Sequence, residues 1–317
     1  MKTVCYGELL IDMIADGDGV LGYADSFKKH AGGAAANVAV QLVKLGDRAC
    51  FLGKLGDDSF GHYLVDYLRD CNIDVGAVVW DAERRTTVAF IGLDKNKKPD
   101  YLFYRKGGAS ESLIPEEINL GKIDEAEVLY TSSLMLTSKK VRETTLWILR
   151  YAKENGKTVA FDMNFRMTAW GDEEEARNVI CSMLPYVNIL KINEDELRFL
   201  LGKSENIRRA EELLKKYPSI DILIVTCGAD GAYIFTGKDA ACRITADRVD
   251  VVDTTGAGDS FMGAFLYAYG KYGKDQEKIL EMGRFAAAAS ELTIQKNGAV
   301  EAMPDLDECE RYMTAKK

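Results

Sequence analysis

The chain has 317 residues, 47% of them hydrophobic, and a formal net charge of -9. That length and apolar content suit one large α/β domain and leave no disordered tract. The acidic balance argues against nucleic-acid and anionic-membrane partners, although local Lys and Arg can still dominate one cleft. There is no apolar run of about eighteen residues and no basic-then-apolar leader, so the expectation is a cytoplasmic protein without a membrane span. Seven cysteines (5, 50, 71, 181, 227, 242 and 309) are scattered without a Cys-x-x-Cys pair, which predicts free thiols rather than zinc or disulfides. Only His30 and His62 offer imidazoles, which leaves carboxylates as the candidates for proton transfer.

In chain order, residues 1–8 read as a first strand, and Asp12 follows in Ile11-Asp12. The plain alternative for Asp12 is an exposed turn residue. In Ala31-Gly32-Gly33-Ala34-Ala35-Ala36-Asn37, the glycines let a ligand approach the backbone, and Asn37 lies one turn inside a helix. The same Gly-Ala richness also serves plain helix packing. Val88–Leu93 and Tyr101–Arg105 are strand-like and joined by the polar stretch 94–99, which predicts an antiparallel hairpin. With the 11–30 region it predicts a small sheet projecting from the core; the alternative is an edge extension of the main sheet. Tyr101 and Phe103 fall on one side of their strand.

Residues 127–131, 158–161, 187–190 and 221–226 read as buried strands, while 139–155, 173–184 and 207–216 carry helical spacing. That alternation predicts a mainly parallel central sheet with helices on both faces. Lys191, Asn193 and Glu196 follow one strand and open a helix. An ammonium, an amide and a carboxylate there can position phosphates and Mg²⁺-bound water. Glu194 and Asp195 beside them complement the helix dipole. Thr226, Gly228 and Gly231 sit in a stretch that alone reads as an ordinary hairpin turn.

The most informative segment is Asp253–Phe261. Gly256, Ala257 and Gly258 make a tight turn into an apolar helix, with Asp259 in its first turn. Free N–H groups and partial positive charge at a helix N-terminus attract phosphate. An Asp beside them can take a proton from a hydroxyl while the amides stabilise a transferring phosphoryl group. The pairing points to a kinase acting on an alcohol. An isolated Asp at this position usually just complements the dipole. Here the flanking glycines, Thr254-Thr255 and Asp253 favour chemistry. No G-x-x-x-x-G-K-[ST] motif is present, which excludes a P-loop kinase, and the first strand lacks the G-x-G-x-x-G of dinucleotide dehydrogenases.

At these residues the sequence resembles the PfkB carbohydrate kinases, a ribokinase-like family. Asp253-Thr-Thr-Gly-Ala-Gly-Asp259 matches their second signature, and Gly32–Asn37 with Leu52–Asp58, Phe60 and Gly61 matches their first. The resemblance runs over essentially the whole chain. Gly7-Glu8, Phe103–Arg105 and Phe161–Arg166 lean toward bacterial fructokinases. It implies a single ribokinase-like kinase domain, 1–317, with a small β-sheet lid from about 11–30 and 75–106. It also implies Asp259 as general base and the amides of Gly256, Ala257 and Gly258 as anion hole, with Arg166 or Lys191 adding positive charge. Asp12, Gly32, Gly33 and Asn37 would hold the sugar, with Tyr101, Phe103, Arg105, Asp162 and Asn164 around it. ATP would lie against Lys191, Asn193, Thr226, Gly228, Gly231 and Gly258. Mg²⁺ would be reached from Glu196 through water, and K⁺ would sit near Asp253 and Thr255. The lid would join a homodimer.

The resemblance favours fructose, phosphorylated on its exocyclic hydroxymethyl group to fructose 6-phosphate. The sequence departs from fructokinases at Lys106–Glu111, which keeps the substrate open. A rival in the same family is 2-keto-3-deoxygluconate, whose carboxylate Arg105 and Arg166, with Tyr101 and Tyr104, could clamp. Guanidinium groups equally serve neutral hydroxyls or a γ-phosphate, and Arg166 can instead pair with Asp162 across a strand face. A third reading is an inactive sugar or nucleotide sensor, which predicts loss of the base or the anion hole; neither is lost.

Overall fold

A computed structural model describes residues 1–16, 20–95, 99–202, 207–237 and 241–315. Residues 17–19 of the expected lid and 96–98 of the polar turn lie outside the described residues. The first half runs β1 (Lys2–Tyr6), β2 (Leu10–Ala15), β3 (Phe27–Gly32), α1 (Ala34–Lys44), β4 (Arg48–Gly56), α2 (Ser59–Asp70), β5 (Asp74–Asp81), β6 (Val88–Leu93) and β7 (Pro99–Tyr104). The chain continues with α3 (Leu120–Asp124), β8 (Val128–Ser132), α4 (Lys139–Glu154), β9 (Thr158–Asp162), α5 (Glu173–Met183), β10 (Ile189–Asn193), α6 (Glu194–Leu201) and α7 (Ala210–Lys216). It ends with β11 (Ile222–Thr226), β12 (Ala232–Thr236), β13 (Cys242–Ile244), α8 (Ala257–Tyr272), α9 (Ile279–Thr293) and α10 (Leu306–Thr314).

Nine strands form one sheet in the order β13-β12-β11-β10-β9-β8-β1-β4-β5. From β11 to β5 the pairing is parallel; β12 and β13 add an antiparallel edge. Successive strand residues point to opposite faces, so a run apolar at every position fills two cores. Val4 and Tyr6 join one core while Cys5 joins the other, and Leu223 and Val225 separate from Ile222 and Ile224 in the same way. Helices α1, α2, α8 and α9 cover one face, and α4 to α7 the other. This is the mainly parallel sheet, covered on both sides, that the strand–helix alternation predicts. No helix among the described residues is long and apolar enough to cross a membrane.

A second sheet has the order β3-β2-β6-β7, with β6 and β7 antiparallel as expected for 88–105. The expected lid span of 75–106 needs a correction. Residues 74–81 form β5, which pairs with β4 (Leu52 with Ala77, Gly56 with Asp81) as the edge of the large sheet. Ala77 is buried in the core there, which ties that strand to the large sheet.

Helices α1 and α8 pack against each other, and a single missing side chain permits it. A Cβ on Gly263 would lie 2.7 Å from Gln41 Cβ. Next to it Ser260 Oγ donates to Gln41 Oε1 at 2.9 Å, and Thr293 Oγ1 donates to Ser260 Oγ at 2.8 Å. Gly263→Val is expected to overpack this contact and cost about 1–3 kcal/mol. Urea unfolding should show a lower midpoint with an unchanged slope; an unchanged midpoint would mean the helices are not held this closely.

Candidate active site

In open α/β sheets, ligands bind beyond the carboxyl ends of the parallel strands. Asp162 ends β9, Asn193 ends β10 and Thr226 ends β11, with Lys191 in register with Asp162 and Asn193 with Thr226. α1 and α8 bring their amino ends to the same region. Gly256, with φ of 77°, takes the left-handed conformation that starts α8. A Cβ on it would lie 2.9 Å from Ala299 Cβ, so glycine is required on steric grounds as well.

Asp259 stands in the first turn of α8, partly buried, and accepts a hydrogen bond from Asn37 Nδ2 at 2.8 Å. Burial pushes its carboxyl up to about 6. The Asn37 bond works against that rise, Asp162 adds to it, and Lys191 and Arg166 oppose it. Lys191 is buried, with Nζ 2.8 Å from Asp162 Oδ2. Burial alone would lower the Lys191 ammonium; Asp162, together with Glu196 and Asp259, outweighs it and holds Lys191 above its ordinary value. A Cβ on Gly258 would lie 3.2 Å from Lys191 Nζ, so the ammonium sits directly beside the start of α8. A raised carboxylate, a helix N-terminus and a buried cation therefore meet at one place. That set can deprotonate a hydroxyl and stabilise a phosphoryl group in transit.

The expected sugar residues cluster around β2 and α1. Burial pushes Asp12 up to about 7. A Cβ on Gly32 would lie 1.9 Å from Asp12 Oδ2, and one on Gly33, where φ is 116°, would lie 2.2 Å from the Glu8 carbonyl oxygen. Strand pairing sets Asp12 beside Ala89 and Ala89 beside Phe103, which places Asp12, Phe103 and Tyr101 on one face of the small sheet. The Tyr101 and Phe103 rings stack at 6.3 Å. Leu102 and Tyr104 occupy the other face and are 49% and 66% exposed. Asn164 has a φ of 38°, an uncommon conformation for a residue with a side chain, just past β9.

Several expectations change on this geometry. Arg105 is not a free clamp. It is buried, with Nε 2.6 Å from Glu8 Oε1, Nη2 donating to the Leu134 carbonyl at 2.7 Å and Nη1 donating to Thr137 Oγ1. Asp162 pairs with Lys191 rather than with Arg166, which is exposed and donates to the Phe165 carbonyl. Glu196 accepts from the backbone N–H groups of Asn193 and Phe165 at 2.8 and 2.6 Å. Asn193 returns the bond to Glu196 N, so the pair forms the capping box of α6. The Asp253 carboxylate accepts from Thr255 N, Thr255 Oγ1 and Gly298 N. That closes the turn before α8. Thr226 lies at the mouth of the site, while Gly228 and Gly231 form the β11–β12 turn.

Sequence reasoning missed two groups. Glu8 is the buried partner that fixes Arg105. Tyr130, buried on β8, has a hydroxyl without a hydrogen-bond partner and feels the charges of Asp162 and Asp259. Neither carries a local signal beyond a polar residue in or next to an apolar strand.

The chain matches the pfkB family carbohydrate kinases over residues 1–306. It belongs to that family. It is 37% identical to a probable fructokinase-2 of Arabidopsis thaliana over 306 residues, covering 95% of this chain and 92% of that protein. A fructokinase of Xylella fastidiosa solved with bound ATP superposes with a TM-score of 0.91 at 30% identity, covering 99% of this chain and 98% of that one. A fructokinase of Vibrio cholerae O395, solved with fructose, ADP and calcium, superposes with a TM-score of 0.87 at 27% identity over 98% of each chain. As a pfkB carbohydrate kinase, the chain is a sugar kinase with the ribokinase-like fold that its motifs imply.

The Asn37 bond yields a pH prediction. A base works only when ionised, so kcat/KM should fall as pH drops through about 6. Asn37→Leu removes a hydrogen bond that favours the carboxylate, and its acidic limb should move up by about one pH unit. A limb that stays in place would show that Asn37 does not tune the base.

Proposed function

We propose that this kinase transfers the γ-phosphoryl group of ATP to the exocyclic hydroxymethyl oxygen of fructose, giving fructose 6-phosphate and ADP. The observation that carries the reading is Asp259, raised to about 6 and set in the first turn of α8 beside the buried Lys191. Asp259 takes the hydroxymethyl proton as that oxygen bonds to the γ-phosphorus and the bond to the bridging oxygen breaks. The amides of Gly256, Ala257 and Gly258 and the Lys191 ammonium stabilise the charge on the moving group. Arg166, near enough to lower Asp259, adds to that field. Asn37 and Asp12 orient the sugar, and Tyr101 and Phe103 cover it.

Mg²⁺, bound with ATP, supplies neutralisation of phosphate charge. The donors present fit it: Asp162 keeps one buried oxygen, Oδ1, without a hydrogen-bond partner, and Glu196 lies within its electrostatic reach. Those two carboxylates would hold the hydrated ion. K⁺ would sit near Asp253 and Thr255, where three protein donors leave the Asp253 carboxylate room for a cation.

Fructose is favoured over 2-keto-3-deoxygluconate for two reasons. The relatives are named fructokinases, and Arg105, one of the two arginines that could clamp the keto-acid carboxylate, is committed to Glu8, which leaves Arg166 alone for that role. The retained Asp259 and Gly256–Gly258 helix start weigh against the sensor reading. Exposed Leu102 and Tyr104 on the lid face away from Asp12 support a homodimer through the lids. Seven free cysteines suit a reducing cytoplasm.

A coupled MgATP assay with fructose and 2-keto-3-deoxygluconate side by side tests the reading. The expected result is a kcat/KM preference for fructose, with Asp259→Asn still folded and binding ATP but slower by about 10²–10⁴ in kcat. Preference for the keto-acid would overturn the substrate, and near-normal turnover by Asp259→Asn would overturn the base.

A further inference from the structure

We propose that Tyr130 is a positioning residue for the phosphoryl transfer: its buried hydroxyl turns its proton toward the Asp162 and Asp259 carboxylates and steadies these two like charges side by side. The proposal deepens the reading of Asp259 as general base and rests on it. Tyr130 stands in the middle of β8, 0% exposed, in register with Cys5 of β1 and Ala160 of β9. Side chains alternate along a strand. Tyr130, Asp162 two residues beyond Ala160, and Lys191 beside Asp162 therefore share one face of the large sheet.

Helix α8 covers that face. The hydroxyls of Thr158 and Tyr269 lie 3.4 Å apart, where β9 begins and α8 nears its end. From Thr158 to Asp162 the strand advances about 13 Å, and from Tyr269 back to Asp259 the helix rises about 15 Å. The amino end of α8 is thereby set over Asp162 and Lys191, with Tyr130 beneath it on the next strand. Tyr130 packs in the same core as Phe261, Met262 and Phe265 of α8. Its hydroxyl lies within electrostatic reach of Asp162, Asp259 and the Cys5 thiol.

That hydroxyl has no hydrogen-bond partner among the described residues. Tyr6 supplies the contrast: it is equally buried, on the opposite face of the sheet, and its hydroxyl lies 3.0 Å from Thr145 Oγ1. Buried polar groups are ordinarily partnered, and an unpaired one weakens a fold relative to the same ring without it. Phenylalanine would therefore fill the Tyr130 position at least as well, so the hydroxyl serves the charges above it. Burial holds it well above an ordinary phenol, and both carboxylates push it higher, so it keeps its proton and remains a donor. Asp162 and Asp259 repel each other, which is why Asp162 raises Asp259. Asn37 takes one oxygen of Asp259 and Lys191 one of Asp162, while Asp162 Oδ1 is buried without a partner. A hydroxyl turned toward both carboxylates offsets their repulsion in this low-dielectric setting. The second Asp259 oxygen then keeps its aim at the sugar hydroxymethyl group.

The test is steady-state kinetics and thermal melting of Tyr130→Phe, with Tyr6→Phe and Asp259→Asn beside it. MgATP is used with the better substrate of fructose and 2-keto-3-deoxygluconate, at pH 8, well above the Asp259 carboxyl at about 6. Tyr130→Phe is expected to lose about tenfold in kcat, the worth of one hydrogen bond to a charged group. Its KM values should stay within about twofold, since a fully buried ring touches neither substrate, and its Tm should not fall. Tyr6→Phe should do the reverse, with a lower Tm and kcat within about twofold of wild type. Because Tyr130 acts through Asp259, Tyr130→Phe/Asp259→Asn should be no slower than Asp259→Asn alone. Unchanged kcat in Tyr130→Phe, a lower Tm in that variant, or losses that multiply in the double variant would overturn the proposal. Slow turnover by Asp259→Asn beside an unimpaired Tyr130→Phe overturns this proposal alone. Near-normal turnover by Asp259→Asn overturns the base, and this proposal with it, so the two failures are distinguishable.

Discussion

The chemistry of this kinase depends on where the amino end of α8 is held. Three contacts fix it. Gly263 lets α8 press against Gln41 of α1, Ser260 links Gln41 to Thr293 of α9, and Asp253 ties the preceding turn to Gly298. None of these residues touches the reacting atoms by our account. Each limits how far the Gly256–Gly258 amides and the Asp259 carboxylate can drift relative to α1. Because Asn37 rides on α1 and Asp259 on α8, the 2.8 Å bond between them registers the amino end of one helix against that of the other. Misplacement of such groups by about 1 Å is enough to lose much of the rate.

Charge is the second constraint. Asp162, Glu196 and Asp259 crowd one buried cation, Lys191. Burial raises Glu196 and Asp259, and the Asp162 charge raises both further. Lys191 opposes the rise at both groups and stays protonated through its bond to Asp162. A buried ion pair of this kind is weak evidence for stability, since desolvation offsets much of the attraction. Its value here is placement: it fixes an ammonium next to Gly258, where a phosphate would meet it without reorganisation.

The fold was legible in the sequence because parallel strands buried on both faces read as continuous apolar runs. The stretch 158–161 became β9 and 221–226 became β11, each within a residue or two. The β5 segment was not legible, since an edge strand with mixed polar residues looks the same whether it joins the large sheet or the small one. At the site, Gly256–Asp259 could be read because turn, helix start and carboxylate are contiguous. Arg105 could not. Its partner Glu8 lies almost a hundred residues earlier, and nothing local distinguishes a buried, paired arginine from one facing a substrate. The same holds for Asp162, whose side chain answers to Lys191 one strand away rather than to its own neighbour Arg166. Long-range pairing is what a single sequence hides.

The most direct test of the central claim is a crystal structure of the enzyme with fructose and a non-hydrolysable ATP analogue. The account predicts that the sugar hydroxymethyl oxygen lies within about 2.6–3.2 Å of an Asp259 carboxylate oxygen, with the γ-phosphate over the Gly256–Gly258 amides and Lys191. A hydroxymethyl group directed away from Asp259, or a γ-phosphate held elsewhere, would contradict it.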